Sequence, residues 1–73
     1  MTSTDVEKLV GEIWEDVLDL DSISSDDDFF ELGGDSVQAL DVVYRLRAAG
    51  CSLKIGDFFT NPTVRTLSAV AAG

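Results

Sequence analysis

The spacing of apolar residues constrains the fold of this 73-residue chain more than any other feature. Apolar side chains recur with the period of an α-helix, and no segment alternates in the way that a half-buried strand does. The first such segment, residues 4–20, carries charged residues between its apolar positions and predicts an amphipathic helix. Thr4 and Glu7 have capping-box spacing at its start. The predicted apolar stripe comprises Val6, Leu9, Val10, Ile13, Trp14, Val17 and Leu18.

A second helix is predicted over residues 35–49. Asp35 is a favourable N-cap and Gln38 follows it at capping-box spacing. Gly50 fits the left-handed residue that ends many helices. Basic residues near the predicted C-terminus, Arg45 and Arg47, stabilise the helix dipole. One apolar stripe of this helix holds Val37, Leu40 and Tyr44, and an adjoining stripe holds Ala39, Val43 and Leu46.

Two further helices complete the predicted pattern. A short helical turn is predicted near residues 55–60. A last helix is predicted to begin at Asn61-Pro62, because proline is well tolerated at the first helical position. The apolar face of that helix comprises Val64, Leu67, Val70 and Ala71. We therefore predict an all-α fold, a small four-helix bundle of three main helices and one short helix, in a single domain over residues 1–73.

Residues 21–35, DSISSDDDFFELGGD, form a long predicted loop between the first two helices. Ser, Asp and Gly favour turns, which argues against a helix interior here. The segment nevertheless contains Ile23, Phe29, Phe30 and Leu32, and we expect some of these to anchor it to the core. A helical turn is expected to open near Asp26. A loop this long in so small a domain is usually functional or disordered, and its aromatic residues argue against disorder.

Charge is distributed unevenly along the chain. Residues 1–41 carry a charge of −12, with Lys8 as their only base, and residues 42–73 carry +3, with Asp57 as their only acid. The net charge of −9 disfavours nucleic acid and anionic membranes as partners and favours basic protein surfaces. No apolar run approaches the roughly 18 residues of a membrane span. The N-terminus does not resemble a signal peptide, so we expect a cytoplasmic chain.

The composition excludes most catalytic and metal sites. The chain has no His, which removes the usual general base for a Ser or Cys nucleophile and the usual zinc ligands. Its single cysteine, Cys51, forms no internal disulfide and is expected to be a small buried apolar residue. Asp26-Asp27-Asp28 lacks the spacing, glycine and closing Glu of an EF-hand loop, so a solvated acidic turn is predicted there. We predict no metal site and no catalytic residue.

Ser36 is the residue best placed for chemistry, because it follows Gly33-Gly34-Asp35 at the predicted start of a helix. The first turn of a helix presents unpaired N–H groups and a positive dipole end, which favour an attached or bound phosphate. An ordinary serine at a helix start would have the same pattern, and the residues alone leave that alternative open. A serine hydrolase of the Gly-Asp-Ser type is excluded, because it requires a His and a longer chain.

The stretch Asp28-Phe29-Phe30-Glu31-Leu32-Gly33-Gly34-Asp35-Ser36 resembles the phosphopantetheine attachment motif of carrier proteins. Its Gly-Gly-Asp-Ser form is most similar to the peptidyl carrier proteins of nonribosomal peptide synthesis. Phe59-Thr60-Asn61-Pro62-Thr63-Val64 resembles that family's approach to its final helix. The resemblance implies that Ser36, with Asp35 and Gly34 beside it, receives 4'-phosphopantetheine from coenzyme A. The thiol of this arm would then carry an aminoacyl or acyl group as a thioester.

The resemblance also implies the partners. These are a phosphopantetheinyl transferase, an adenylation enzyme, and condensation, tailoring or thioesterase enzymes, with the chain itself a non-catalytic monomer. The family often has Leu or Ile after the serine, whereas this chain has Val37, a difference that concerns partner choice rather than modification. By position, the candidate partner contacts are Val37, Leu40 and Ile55. The alternative is that all three are buried in the core, the commoner location of such residues.

Two alternative functions stay open from the sequence. An acyl carrier protein of polyketide or fatty-acid type shares the fold and the attachment chemistry, although the Gly-Gly-Asp-Ser form favours the peptidyl type. An acidic helical adaptor without a prosthetic group would share the charge and the helices but leave Ser36 unmodified. We expect a free-standing protein rather than a domain of a larger synthetase, because the N-terminal residues show no linker.

Overall fold

The computed structural model describes residues 3–72, which form four helices joined by loops. The helices are α1 (Ser3–Leu18), α2 (Ser36–Ala48), α3 (Ile55–Thr60) and α4 (Val64–Ala71). Helix α1 packs against α2 and α4, and α3 contacts both α2 and α4. Within residues 3–72 the only extended pairing is an isolated antiparallel bridge between Asp28 and Thr63. The predicted all-α, four-helix fold is confirmed.

The apolar faces of the helices meet in one core, as their spacing predicts. From α1, the core contains Val6, Val10 and Trp14, while the other predicted apolar residues of that helix lie half-buried at its edge. Cys51 is buried, as predicted, and its thiol is free. The buried apolar residues are Val6, Val10, Trp14, Phe29, Ala39, Val42, Val43, Leu46, Cys51, Leu53, Phe58, Val64, Leu67 and Ala71.

Three aromatic rings from different parts of the chain pack together in this core. Trp14 comes from α1, Phe29 from the long loop and Phe58 from α3, and all three are fully buried. The centroid of the Phe29 ring lies 4.9 Å from that of Trp14 and 4.8 Å from that of Phe58, in edge-to-face geometry. Such pairs contribute about 0.5–1.5 kcal/mol beyond the burial of their area. The loop therefore supplies the ring that joins two helices.

The long connection, residues 19–35, is also fixed by backbone hydrogen bonds to Pro62 and to the first turn of α4. The N–H of Phe29 donates to the carbonyl of Pro62 at 2.8 Å, and the N–H of Arg65 donates to the carbonyl of Ser25 at 3.0 Å. The expectation that apolar residues anchor the loop is confirmed. Phe29 is buried, and the residues half-buried beside it are Ile23, Phe30 and Leu32.

A turn occurs at Asp26, as expected, but the helical turn of the loop opens later, at Asp28. The carboxylate Oδ1 of Asp28 accepts the N–H groups of Phe30 at 2.8 Å and Glu31 at 3.2 Å. Its carbonyl accepts the N–H of Leu32 at 3.0 Å. An Asp side chain that satisfies the amides following it stabilises such a turn. This carboxylate therefore orders the segment just before the two glycines.

Both predicted ends of the first helix are wrong. The helix ends at Leu18 rather than near residue 20, because Asp19 has a φ of 56°, in the left-handed region that terminates helices. At the other end, Thr4 lies inside α1 and is not its cap. The predicted partner of Thr4, Glu7, instead accepts a hydrogen bond from the Ser25 hydroxyl at 2.7 Å. A tertiary contact with the loop has replaced the local capping box.

Helix α4 begins at Val64 rather than at Asn61-Pro62. Thr63 is its N-cap and accepts an N–H from the first turn at 3.2 Å. Asn61 instead terminates α3, where its side-chain Nδ2 donates to the carbonyl of Asp57 at 3.0 Å. The carbonyl of Pro62 accepts the hydrogen bond from the loop described above. The apolar face predicted for this helix is buried, except for a half-buried residue at position 70.

The predictions for the two middle helices are confirmed. Helix α3 spans the predicted residues, and α2 differs from its predicted range only by excluding the two cap residues. Gly50 follows the C-cap of α2 with a φ of 98°, as its predicted left-handed position requires. In residues 3–72, no helix combines the length and the apolar character that crossing a bilayer demands.

Candidate functional site

Ser36 is the first residue of α2, and its side chain is exposed. Asp35 precedes it with an extended backbone, at φ −125° and ψ 179°, and is the N-cap of the helix. Within residues 3–72, no acceptor pairs with the backbone N–H of Ser36 or Val37, as expected for a first helical turn. The serine hydroxyl therefore lies in solvent at the positive end of the helix dipole.

The backbone around Ser36 is fixed by the capping box that the sequence predicts. Oδ1 of Asp35 accepts the N–H of Gln38 at 2.8 Å, and Oε1 of Gln38 accepts the N–H of Asp35 at 3.1 Å. The Gln38 side chain also donates through Nε2 to the carbonyl of Val17 at 3.4 Å. The start of α2 is thus held both by its own cap and by the end of α1.

The two positions before Asp35 require glycine for different structural reasons. Gly33 has a φ of 99°, which side-chain-bearing residues rarely adopt. Gly34 lies against the buried Phe29 ring, and a Cβ there would come within 2.3 Å of Phe29 Cε2. Its N–H also donates to the Phe29 carbonyl at 3.1 Å. The segment before Ser36 is therefore in direct contact with the aromatic core, which the sequence did not reveal.

Helix α2 has one buried face and one exposed apolar face. The predicted stripe of Ala39, Val43 and Leu46 is buried. The side chains of Val37 and Leu40 are 74% and 53% exposed, which removes the alternative that they belong to the core. Ile55, the third candidate partner contact, is half-buried and packs against the core from α3.

Two exposed aromatic residues were not among the predicted partner contacts. Tyr44 is 75% exposed, and its helical spacing from Val37 and Leu40 was the signal that could have identified it. Phe59 is 47% exposed, and its ring stacks on that of Phe30 with a centroid separation of 5.7 Å and an interplanar angle of 8°. No sequence signal separates Phe59 from its buried neighbour at position 58.

One basic residue of α2 is committed to internal ion pairs. Nε of Arg45 lies 3.2 Å from Oδ1 of Asp41, and its guanidinium also pairs with Asp16 of α1. Hydrogen bonds to Asp16 and then to Asp41 raise the pKa of Arg45 above its ordinary value. This cation therefore links α2 to α1.

The chain is similar to members of a known protein family. Residues 8–71 match the protein family described as "Phosphopantetheine attachment site". Bacitracin synthase 2 of Bacillus licheniformis is 45% identical to this chain over 64 residues. Those residues are 88% of this chain but only 2% of that protein, so the chain spans a small fraction of such relatives.

Solved structures resemble the whole bundle. A nonribosomal PCP domain superposes with a TM-score of 0.82 at 40% identity, covering 96% of this chain and 88% of that one. A peptidyl carrier protein structure in complex with the phosphopantetheine transferase Sfp and coenzyme A gives a TM-score of 0.85 at 34% identity, covering 92% and 88%. An A-PCP structure complexed with phenylalanyl-adenylate gives 0.83 at 36% identity, covering 89% and 10%.

Proposed function

Because this chain belongs to the phosphopantetheine attachment family and is a peptidyl carrier domain, we propose that the Ser36 hydroxyl is its attachment point. The domain is a phosphopantetheine-dependent carrier. One observation supports Ser36 above all others: its hydroxyl is exposed at the first position of α2, on a turn fixed by a complete capping box. Ser22, Ser24 and Ser52 are also exposed, but each of them lies in a loop.

Attachment requires a nucleophilic oxygen, a base and a leaving group. Ser36 Oγ attacks the phosphorus of coenzyme A that bears the pantetheine arm, and a phosphoester bond forms as the adenosine bisphosphate leaves. The serine proton passes to a base of the transferase, because this chain contains no His and no carboxylate is bonded to Ser36 in the described structure. The reaction therefore needs an exposed serine and an external active site.

The residues present fit a phosphate ester on Ser36. The free N–H groups of Ser36 and Val37 lie at the positive end of α2, where a negative charge is favoured by about 0.3–1 kcal/mol. The carboxylate of Asp35 is turned toward the N–H of Gln38 and held there. Gly34 keeps the turn against the core. We therefore propose that Asp35 and Gly34 position Ser36.

Attached in this way, 4'-phosphopantetheine supplies a flexible thiol on which an aminoacyl or acyl group is held as a thioester. The chain's own contribution is to present that thiol and to dock. We propose that the chemistry belongs to partner enzymes, because the sequence has no His and Ser36 has no bonded base. The chain would then act as one carrier domain over residues 1–73 and as a monomer.

The exposed face of α2 is proposed as the surface that meets those partners. Val37, Leu40 and Tyr44 form an apolar stripe that starts beside Ser36, and Ile55 extends it onto α3. Exposed apolar side chains that are clustered rather than scattered mark interaction sites. The proposed partners are a phosphopantetheinyl transferase, an adenylation enzyme, and condensation, tailoring or thioesterase enzymes. The first two are in keeping with the related structures described above.

Intact mass spectrometry after incubation with coenzyme A and a broad-specificity phosphopantetheinyl transferase tests the attachment site. We expect the mass to rise by one phosphopantetheine group in the unaltered chain and not at all in Ser36→Ala. Ser52→Ala is a matched control, because Ser52 is also exposed but lies in a loop. It should be modified normally.

Circular dichroism establishes that each variant is folded before its mass is compared. Modification of Ser36→Ala would place the attachment site elsewhere. A folded, unmodified parent chain would favour the adaptor without a prosthetic group. If modification occurs, loading by an adenylation enzyme rather than by an acyl transferase separates the peptidyl type from polyketide and fatty-acid carriers.

A further inference from the structure

Three basic side chains of residues 3–72 form no ion pair, and two of these, Arg47 and Lys54, lie at the far end of α2 from Ser36. Of the five basic side chains, Arg45 and Arg65 form ion pairs with carboxylates. Within residues 3–72, Arg47 and Lys54 have no carboxylate within ion-pair distance of their side chains. Both are exposed. They stand out against a net charge of −9.

These two cations line the same surface groove between α2 and α3. Its apolar lining includes Leu40 and Tyr44 from α2 and Ile55 from α3. Arg47 and Lys54 are among its polar lining residues. Leu40 and Tyr44 are more than half exposed, so their apolar surface is uncovered in this chain. The groove therefore combines apolar side chains with free positive charge.

The carboxylates nearest the groove are already engaged. Asp41 also lines it, but its Oδ1 is paired with Nε of Arg45 at 3.2 Å. Asp57, near the start of α3, accepts the backbone N–H of Lys54 at 2.8 Å through Oδ2. Neither carboxylate forms an ion pair with Arg47 or Lys54. Among the residues that line the groove, Asp41 is paired with Arg45, and Arg47 and Lys54 are the charged side chains left without an ion pair.

We propose that this groove binds a segment of a partner protein that carries a carboxylate beside an apolar side chain. The apolar side chain packs against Leu40, Tyr44 and Ile55, and the carboxylate pairs with Arg47 and Lys54. The inference rests on the proposed function, because it assigns a charge preference to partners of the carrier. Those partners have so far been expected to present basic surfaces to the acidic half of the chain. They would also present an acid here.

Charge complementarity favours this occupant over two others. A second copy of the chain would bring a net charge of −9 toward another body of the same charge, and the two would repel. The pantetheine portion of the chain's own arm is uncharged, so it would form no ion pair with Arg47 or Lys54. A partner segment with an acidic and an apolar side chain would contact both the apolar residues and the two cations of the groove.

Titration of the ¹⁵N-labelled full chain with three blocked helical peptides tests the proposal by nuclear magnetic resonance. Each peptide carries two Leu on one face, and the neighbouring position is Glu, Gln or Lys. We expect the Glu peptide to shift the amide signals of Leu40, Tyr44 and Lys54. It should bind more tightly than the Gln peptide by up to about fivefold, the upper end of the gain from one exposed ion pair. The Lys peptide should bind most weakly.

The double variant Arg47→Glu/Lys54→Glu should reverse this order and favour the Lys peptide. Lys8→Glu is the matched control, because it reverses an exposed cation on α1 outside the groove, and it should leave the order unchanged. Equal affinity for the three peptides, or no shift with any of them, would overturn the proposal. Concentration-dependent shifts of Leu40 and Tyr44 without peptide would assign the groove to a second copy instead.

The mass of the double variant separates this inference from the proposed function. The variant should still accept phosphopantetheine, because both substitutions lie away from Ser36. Loss of the peptide preference with normal modification would remove the groove assignment and leave the carrier function intact. If Ser36 of the parent chain stays unmodified while the peptide preference is normal, the proposed attachment site is overturned and the groove assignment is kept.

Discussion

The loop over residues 19–35 and the helix α2 differ in a way that their backbones would not predict. The loop is irregular and rich in polar residues, yet it supplies Phe29, a fully buried ring in contact with Trp14 and Phe58. Helix α2 is regular, yet Val37, Leu40 and Tyr44 are each more than half exposed. The irregular segment stabilises the core, and the regular one leaves apolar surface uncovered.

The difference shows which parts of a small carrier can change without unfolding it. A domain of this size has a small core and a marginal stability, so one lost ring is a large fraction of the total. An exposed apolar side chain on α2 contributes little to folding and is free to serve recognition. Three substitutions test this division, from the largest expected effect on stability to the smallest.

Phe29→Ala should destabilise the domain by about 3–5 kcal/mol, the usual cost of truncating a buried phenylalanine. Its ring packs against two other buried rings, and its loss leaves a cavity between α1 and α3. Urea denaturation followed by circular dichroism measures the change. Phe59→Ala is the matched control, because that ring is 47% exposed, and its cost should be much smaller. Equal losses of stability in the two variants would mean that the Phe29 ring of the loop does not stabilise the core more than an exposed ring does.

Gly34→Ala should cost about 1–3 kcal/mol, because the new Cβ would overlap the Phe29 ring and force it to move. The displaced turn should also slow phosphopantetheine transfer to Ser36, measured by intact mass over time. Gly56→Ala on α3 is the control, since a Cβ there meets nothing within 4 Å. That variant should be as stable as the parent or up to about 1 kcal/mol more stable. Normal stability and normal transfer in Gly34→Ala would contradict the close contact between Gly34 and the Phe29 ring.

Leu40→Ala should cost well under the roughly 2–5 kcal/mol of a buried leucine, because Leu40 is 53% exposed. The loss should appear instead as slower aminoacyl loading by an adenylation enzyme. Leu46→Ala, on the buried face of the same helix, is the matched core truncation and should show the full cost. A large fall in melting temperature for Leu40→Ala would place that side chain in the core and end its assignment to the partner surface.

Helical periodicity predicted most of the fold, because each helix buries one face and its residue pattern records that face. The cap of α2 was predictable for a related reason: Asp35 and Gln38 satisfy each other's amides within a few residues. The start of α4 was not predictable in this way. Asn61 and Pro62 look like a helix start locally, but their polar groups bond to α3 and to the distant loop.

The site was predictable as a motif but not as a structure. The position of Ser36 at a helix start follows from the sequence, and so does the conformational need for a glycine near it. The contact of Gly34 with the Phe29 ring depends on how the loop folds onto the core, which no local pattern records. The unpaired state of Arg47 and Lys54 depends likewise on which carboxylates reach Arg45 and Arg65 across the fold.

The hydrogen bond from Phe29 to Pro62 also bears on when the domain becomes a substrate. Its acceptor lies beyond α2 and α3 in the chain, so it emerges from the ribosome well after Ser36 does. Closing a loop of this length has an entropic cost that is offset only when the distant contacts form, and such a domain folds as a unit. A nascent chain therefore exposes its serine before the turn that presents it is complete. The turn at Ser36 is therefore complete only after the chain beyond α3 has been made and has packed against the loop.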